Sequence, residues 1–243
     1  MVRKRLDVVL VERGLFDSRA KARAAIEAGK VRVGGEPTLK PGAPVGEDAE
    51  IVAEAAHPWV SRAALKLVHA LTLWPVEVEG RTVLDVGAST GGFTEVCLAR
   101  GAARIFAVDV GRGQLHPRLR ADPRVEDLQA LDARTLDRAI IAQAIDLIVC
   151  DASFIGLAKV LPGALALAQP GADLIALVKP QFEVGPARVG KGGVVKDPAA
   201  QAEALQDAII FVEGRRWRVQ ASAESPILGG DGNHEYLLWA VKS

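Results

Sequence analysis

Only two cysteines, Cys97 and Cys150, occur among the 243 residues, and both fall inside apolar, regular-looking segments. A disulfide framework or a zinc site needs several spaced cysteines or cysteine and histidine pairs. The pattern therefore predicts two buried, reduced thiols and no metal. Long apolar runs are missing as well. The longest, such as Leu174 to Val178 and Ala208 to Val212, fall far short of the roughly 18 to 20 residues that a membrane span requires, so no membrane partner is expected. The first residues, M-V-R-K-R-L-D-V-V-L-V-E-R, lack the apolar stretch and small-residue cleavage site of a secretory signal, and a cytoplasmic location is expected. There is no internal repeat, no low-complexity tract and no net charge, since 30 Lys and Arg balance 30 Asp and Glu.

That balance hides an asymmetry. Residues 1–40 hold ten basic side chains against five acidic ones, which leaves 20 basic and 25 acidic in residues 41–243. A surplus of one sign at one end suggests an anionic partner met by that end. An apolar fraction of 49% is ample for a packed core, and the length allows one or two domains.

Leu6, Val9, Leu10 and Arg13 follow a helical period that stops at Gly14, and Asp17 and Ser18 are N-caps for a second helix reaching Ala28. Val31 and Val33 before Gly34-Gly35 predict a short strand and tight turn, Pro37 to Gly46 a loop, and Ile51 a further strand. Pro58 disfavours helix just before it, and the next helical pattern runs from Ser61 to Leu73. The expected division is a small α+β domain over residues 1–55, a linker over 56–60 and a second domain over 61–243.

In the second domain, strand candidates alternate with helices: Thr82 to Val86, Arg104 to Val108, Val125 to Leu128, Ile145 to Cys150, Ala172 to Val178, Trp217 to Ser222 and Glu235 to Val241. This is the rhythm of an α/β, Rossmann-like, mostly parallel seven-stranded sheet, whose ligands sit just beyond the carboxyl ends of its strands. The first strand runs into Gly87-Ala88-Ser89-Thr90-Gly91-Gly92, and a helix continues from Phe93 to Arg100. Small residues admit a ligand against the backbone, and the helix start offers free N–H donors. Asp109, ending the next strand, is placed for a ribose diol, and Asp132, after the third, for an adenine amino group. Asp85, Gly87, Ser89, Thr90, Gly91, Gly92, Phe93, Asp109, Asp132 and Asp151 are the candidate cofactor residues.

Two other nucleotide loops fit less well. A nicotinamide fingerprint needs G-x-G-x-x-G, whereas this loop reads G-A-S-T-G-G. Gly185 to Lys191 matches G-x-x-x-x-G-K, but Gly192 replaces the magnesium-binding Ser or Thr, and Pro186 removes a cradle N–H.

Four polar residues have strand-end or helix-face settings that the fold brings together: Lys66, Asp151, Lys179 and Glu235. Lys66 is expected on a helix face with Arg62 and His69.

The D-V-G-A-S-T-G-G form resembles the cofactor loop of methyltransferases that use S-adenosylmethionine. The last 180 or so residues resemble the FtsJ-like ribose methyltransferases. The whole chain, with S-R-A-A-L-K-L, D-V-G-R-G-Q-L, L-V-K-P-Q-F-E-V-G and G-N-H-E-Y-L-L-W, resembles the TlyA, or hemolysin A, family. The resemblance implies a K-D-K-E catalytic tetrad on Lys66, Asp151, Lys179 and Glu235, acting on a cytidine 2′-hydroxyl in ribosomal RNA. The N-terminal end resembles the RNA-binding motif of ribosomal protein S-four type, and Arg3, Arg5, Arg19, Lys21, Arg23 and Lys30, with Lys4 and Arg32 beside them, are its candidate phosphate contacts. In the linker, H-P-W-V stands where the family has R-A-W-V, so Trp59 and Val60 match while His57 and Pro58 depart.

A ribose hydroxyl is a poor nucleophile and must lose its proton as it attacks. Lys179 is the expected base, Lys66 the orienting and polarising group, and the carboxylates position the amines. Amine methylation usually needs N/D-P-P-Y/F, and Asp151-Ala152-Ser153-Phe154 has no prolines. Base-carbon methylation needs a cysteine nucleophile, and Cys150 precedes Asp151 in an alternating strand, so it is expected to point away into the core. A membrane-active cytolysin and a non-catalytic RNA-binding protein of the same fold are the competing readings.

Overall fold

A computed structural model describes residues 3–46 and 48–243. Met1, Val2 and Glu47, all within the expected first domain, lie outside the described residues. The chain divides into two compact units, Met1–Pro58 and Trp59–Ser243.

The first unit runs β1 (Arg3–Arg5), α1 (Leu6–Glu12), α2 (Arg19–Glu27), β2 (Val31–Val33), β3 (Glu36–Pro37), β4 (Pro44–Gly46) and β5 (Ile51–Ala53). The Ser18 side chain accepts the Lys21 N–H and caps α2, one of the four donors that a helix start leaves free. Leu6, Leu10, Ala22, Ala25, Ile26 and Val31 are fully buried in a small core of the unit's own. The loop expected over Pro37 to Gly46 contains a strand: β4 pairs antiparallel with β1. A strand of three residues is too short for its alternation to show in sequence, and this pairing spans some forty positions of chain.

The second unit runs α3 (Ala64–Leu73), β6 (Thr82–Val86), α4 (Gly92–Ala99), β7 (Arg104–Asp109), α5 (Pro117–Arg120), β8 (Val125–Gln129), β9 (Ile145–Cys150), α6 (Leu157–Val160), α7 (Pro162–Leu167), β10 (Ala168–Val178), α8 (Pro180–Glu183), α9 (Pro198–Glu213), β11 (Trp217–Glu224) and β12 (Tyr236–Lys242). Its seven strands lie in the order β11-β12-β10-β9-β6-β7-β8. From β10 to β8 neighbours are parallel, while β12 is antiparallel to both β10 and β11. Helices cover both faces, which is why the central strands read as unbroken apolar runs. Leu84, Val86, Ile148 and Leu174 pack into the cluster on one face, and Val83, Leu147, Val149 and Ile175 into the cluster on the other. The chain leaves β6 toward β7 and β8 and returns on the other side with β9, so strand order reverses between β6 and β9, where such sheets open a ligand cleft.

The helix expected from Ser61 starts three residues later. The Ser61 hydroxyl accepts the Ala63 N–H at 3.0 Å and the Ser61 carbonyl accepts that of Ala64 at 3.2 Å, making residues 61–63 a turn. Arg62 therefore lies ahead of α3 rather than on a helical face with Lys66 and His69.

Candidate active site

The loop after β6 is shaped by steric necessity. Gly87 has φ +81°, and a Cβ there would stand 2.8 Å from Ala152 Cα, backbone of the neighbouring strand end. Gly91 has φ +95°, and its Cβ would overlap the Leu119 and Leu115 side chains. Both positions need glycine for conformation and for space. Behind the loop, Asp85 is fully buried and accepts the Thr94 hydroxyl of α4 at 2.6 Å, while its Oδ1 has no partner. Burial pushes its carboxyl up to about 7 against the opposing Thr94 hydrogen bond, and Asp151 and Asp109 add to the rise.

Because the folded-state value lies above the ordinary 3.8, the folded chain keeps a proton that the unfolded chain releases between about pH 4 and pH 7. Stability then falls as pH rises through that window. Asp85→Asn is expected to flatten the fall, read as thermal unfolding temperature at several pH values across it. An unchanged slope would assign the pH dependence elsewhere.

A cavity of about 700 Å³ opens beside the loop, lined by Gly87, Ser89, Asp109, Gln114, Asp132 and Asp151, among others. Asp109 accepts the Ser89 N–H at 2.8 Å and the Gly111 N–H at 2.7 Å, one on each oxygen, so backbone donors fix its orientation and leave spare lone pairs on each oxygen. Asp132 caps the following turn through the Arg134 N–H and is gripped by the Arg134 guanidinium, which holds its carboxyl below the usual range. Asp85, Gly92 and Phe93 are buried behind the loop. Thr90, Gly91, Gly92, Phe93 and Asp85 do not line the cavity.

A second cavity, about 290 Å³, shares Asp151, Ser153, Phe154 and Phe182 with the first. It brings together four residues far apart in sequence. Lys66 from the first turn of α3, Asp151 after β9, Lys179 after β10 and Glu235 before β12 form a chain of alternating charge. Lys66 Nζ lies 2.5 Å from Glu235 Oε2 and 3.8 Å from Asp151 Oδ1, and Lys179 Nζ lies 2.6 Å from the same Asp151 oxygen. Lys179 also donates to the Asp151 carbonyl at 3.1 Å and to Ser153 Oγ at 2.8 Å. Lys66, Lys179 and Glu235 are buried. Two lysines facing two carboxylates give each buried polar group a partner of opposite character.

Cys150 lies on the opposite face, in the cluster with Leu84 and Val86. Burial pushes its thiol up to about 12, opposed by Lys179 and reinforced by Asp151, and a thiol so held is no nucleophile near neutral pH.

The structure also presents a residue that sequence reasoning passed over. Phe154 is 91% exposed, adopts φ +65° and sets its ring 5.3 Å from that of Phe182, on the wall common to both cavities. A bulky side chain in left-handed backbone is strained, and such strain gathers at functional sites. The comparison with N/D-P-P-Y/F held the signal: the prolines are absent, but the aromatic stands at the same fourth position.

In the first unit the basic side chains are not equivalent. Asp7 is fully buried and accepts Arg5 through both oxygens, at 2.9 and 3.1 Å, and Arg19 at 2.9 Å. Lys21 pairs with Asp17 at 3.0 Å, while Arg23 to Glu27 and Lys30 to Glu54 are looser, at 3.8 and 3.7 Å. Arg3 and Arg32 are exposed. Arg5 and Arg19 thus satisfy a buried carboxylate as well as facing solvent. The Arg5 hydrogen bonds, with Arg19 adding, hold Asp7 at about 2 despite its burial. A lowered carboxylate stabilises above its unfolded value of 3.8, and that contribution disappears as pH falls from about 4 toward 2. Asp7→Asn is expected to lower the unfolding temperature near neutral pH and to shrink the acid loss, measured by circular dichroism against pH. An unaltered acid limb would refute the assignment.

A glycine loop at the reversal point of a parallel sheet, with a buried lysine and carboxylate cluster beside it, defines a methyltransferase of the Rossmann-like class. The model of the FtsJ-like methyltransferases matches residues 59–242, and that of the S4 domain matches residues 4–51. The chain belongs to the TlyA family. It is 48% identical over 239 residues to the 16S/23S rRNA (cytidine-2′-O)-methyltransferase TlyA of Mycobacterium tuberculosis, covering 98% of this chain and 89% of that one. It is 35% identical over 234 residues to Hemolysin A of Brachyspira hyodysenteriae, covering 96% and 98%. Among solved structures, a protein described as a hemolysin of Streptococcus thermophilus matches with a TM-score of 0.79 at 35% identity, over 100% of this chain and 90% of that one. Among the described residues, no helix is long and apolar enough to cross a membrane.

Proposed function

We propose that this chain transfers the methyl group of S-adenosylmethionine to the 2′-hydroxyl of a cytidine ribose in ribosomal RNA, in the cytoplasm and on ribosomal subunits. The observation that carries the reading is the Lys179 amine, which lines the smaller cavity and is held by Asp151 and Ser153, two residues of the wall that the cavities share. The larger cavity fits the cofactor: Gly87 and Ser89 of the loop line it, and acidic groups line it at Asp109 and Asp132. Gly87 and Ser89 would hold the cofactor's backbone-facing side, Asp109 its ribose and Asp132 its adenine. When bound, S-adenosylmethionine supplies a methyl group made electrophilic by its sulfonium.

Everything else falls to side chains of this chain. Lys179, in its neutral form, accepts the 2′-hydroxyl proton at Nζ as the oxygen attacks. Asp151 holds Lys179 and Lys66 on one oxygen, and Glu235 anchors Lys66 from the other side. Positioning of this kind converts an encounter into an in-line attack within one cavity. The Phe154 ring is the platform on which the target base stacks. Phe154→Ala is expected to lower kcat/KM for RNA about 10- to 100-fold, the range for losing one stacked base, with cofactor affinity kept by isothermal titration. An unaffected kcat/KM would remove Phe154 from the RNA path.

The test of the whole reading is a map of ribose methylation on ribosomal RNA from cells with and without the intact gene. A 2′-O-methylcytidine present only with the gene is the expected result, and identical maps would overturn it.

A further inference from the structure

The smaller cavity contains a polar group that the methyl-transfer chemistry leaves unused. Gln181 stands two residues beyond Lys179, in α8, and lines the same cavity as the four charged residues. Its Oε1 is sealed from solvent and has no hydrogen-bond partner. The other polar groups on that wall are accounted for. Lys66, Asp151, Lys179 and Glu235 form ion pairs among themselves, and Asp151 Oδ1, which like Gln181 Oε1 makes no hydrogen bond, is compensated by the Lys179 Nζ 2.6 Å away. Ser61 Oγ accepts the Ala63 N–H, Ser153 Oγ accepts Lys179, and Arg62 donates to the Leu228 carbonyl at 3.5 Å. Asp231 is exposed to water. Buried polar atoms are nearly always paired, so an exception at a ligand cavity points to a partner that the ligand brings.

The neighbours say what kind of partner. Phe182, the next residue in α8, carries the ring that supports Phe154. A nucleoside whose ribose lies at Lys179 and whose base lies against these rings occupies the cavity that Gln181 also lines. An unpaired acceptor calls for an N–H donor. Cytosine carries an exocyclic amine at the position where uracil carries a carbonyl, and an amide oxygen welcomes the first and repels the second.

We infer that Gln181 is the base-reading residue, its Oε1 accepting the N4–H of the target cytosine and so selecting cytidine over uridine. The inference rests on the proposed reading of the site and adds a residue that decides which nucleoside is accepted.

The experiment uses the full chain, labelled S-adenosylmethionine and ribosomal RNA carrying either the mapped cytidine or a uridine in its place. Wild-type protein is expected to favour the cytidine substrate in kcat/KM by about 10- to 100-fold, the span of one buried hydrogen bond and its unpaired alternative. Gln181→Leu, close in size but without an acceptor, is expected to bring the ratio near one, mainly by slowing the cytidine reaction. Gln181→Glu keeps an acceptor and is expected to keep the preference. Gln181→Leu retaining the full preference overturns the inference. If that variant is inactive on both substrates, Gln181→Glu decides, and a lost preference there overturns it equally. Wild-type protein that methylates neither RNA instead defeats the underlying reading, a result distinct from methylation with unaltered selectivity in the variants.

Discussion

Lys179→Ala is expected to slow methyl transfer about 10²- to 10⁴-fold in kcat, the contribution of a positioned proton acceptor, while S-adenosylmethionine binds as before. Lys179 Nζ reaches Asp151 and Ser153 but does not line the larger cavity, so removing it spares the cofactor's walls. Asp151 keeps a compensating cation in Lys66, 3.8 Å away, so the variant does not strand a buried carboxylate. Single-turnover transfer measured beside cofactor titration separates the outcomes. Near wild-type transfer with intact cofactor binding would remove Lys179 as the base.

Removal of residues 1–58 is expected to act on RNA alone. The apolar clusters of the second unit are built from residues beyond that point, so its core survives the truncation. The deleted part carries the basic surplus of residues 1–40. Each phosphate that such side chains neutralise releases counterions and steepens the dependence on salt. Affinity for ribosomal RNA at moderate ionic strength is expected to fall on the order of 100-fold, with a shallower salt slope. Filter binding over a salt series, beside cofactor titration, checks both. Equal RNA affinity for the truncated and full chains would end the proposal that this unit is the RNA anchor.

What could be read from sequence followed what physics makes local. Thr82 to Val86 and Ile145 to Cys150 were expected with the bounds the structure has, because strands buried on both faces write themselves as continuous apolar runs. The three-residue strands β1 and β4 left no such mark. Nor did the shifted start of α3, which turns on one serine hydroxyl bonding two residues ahead. The glycine loop and the four charged positions were legible through their motifs, and the structure places those four side chains in one cavity. The exposure of Phe154, the missing partner of Gln181 and the grip of Arg5 and Arg19 on Asp7 were not legible. Each depends on what folding brings close or leaves bare, and six basic residues spread over one stretch of sequence look alike whether or not a buried carboxylate waits for two of them.

The direction of β12 has its own consequence. Tyr236, its first residue, stands opposite Val178, the last of β10, so the start of one strand and the end of its neighbour share an edge of the sheet. Glu235 thereby arrives beside Lys179 and Asp151, which follow their strands. Were β12 to run the other way, Glu235 would enter at the far edge, about 20 Å off at the rise of an extended chain, and Lys66 would lose its anchor. A hairpin at the end of an otherwise parallel sheet is thus a wiring requirement: it lets a residue from the chain's last stretch meet groups that lie before and between the earlier strands.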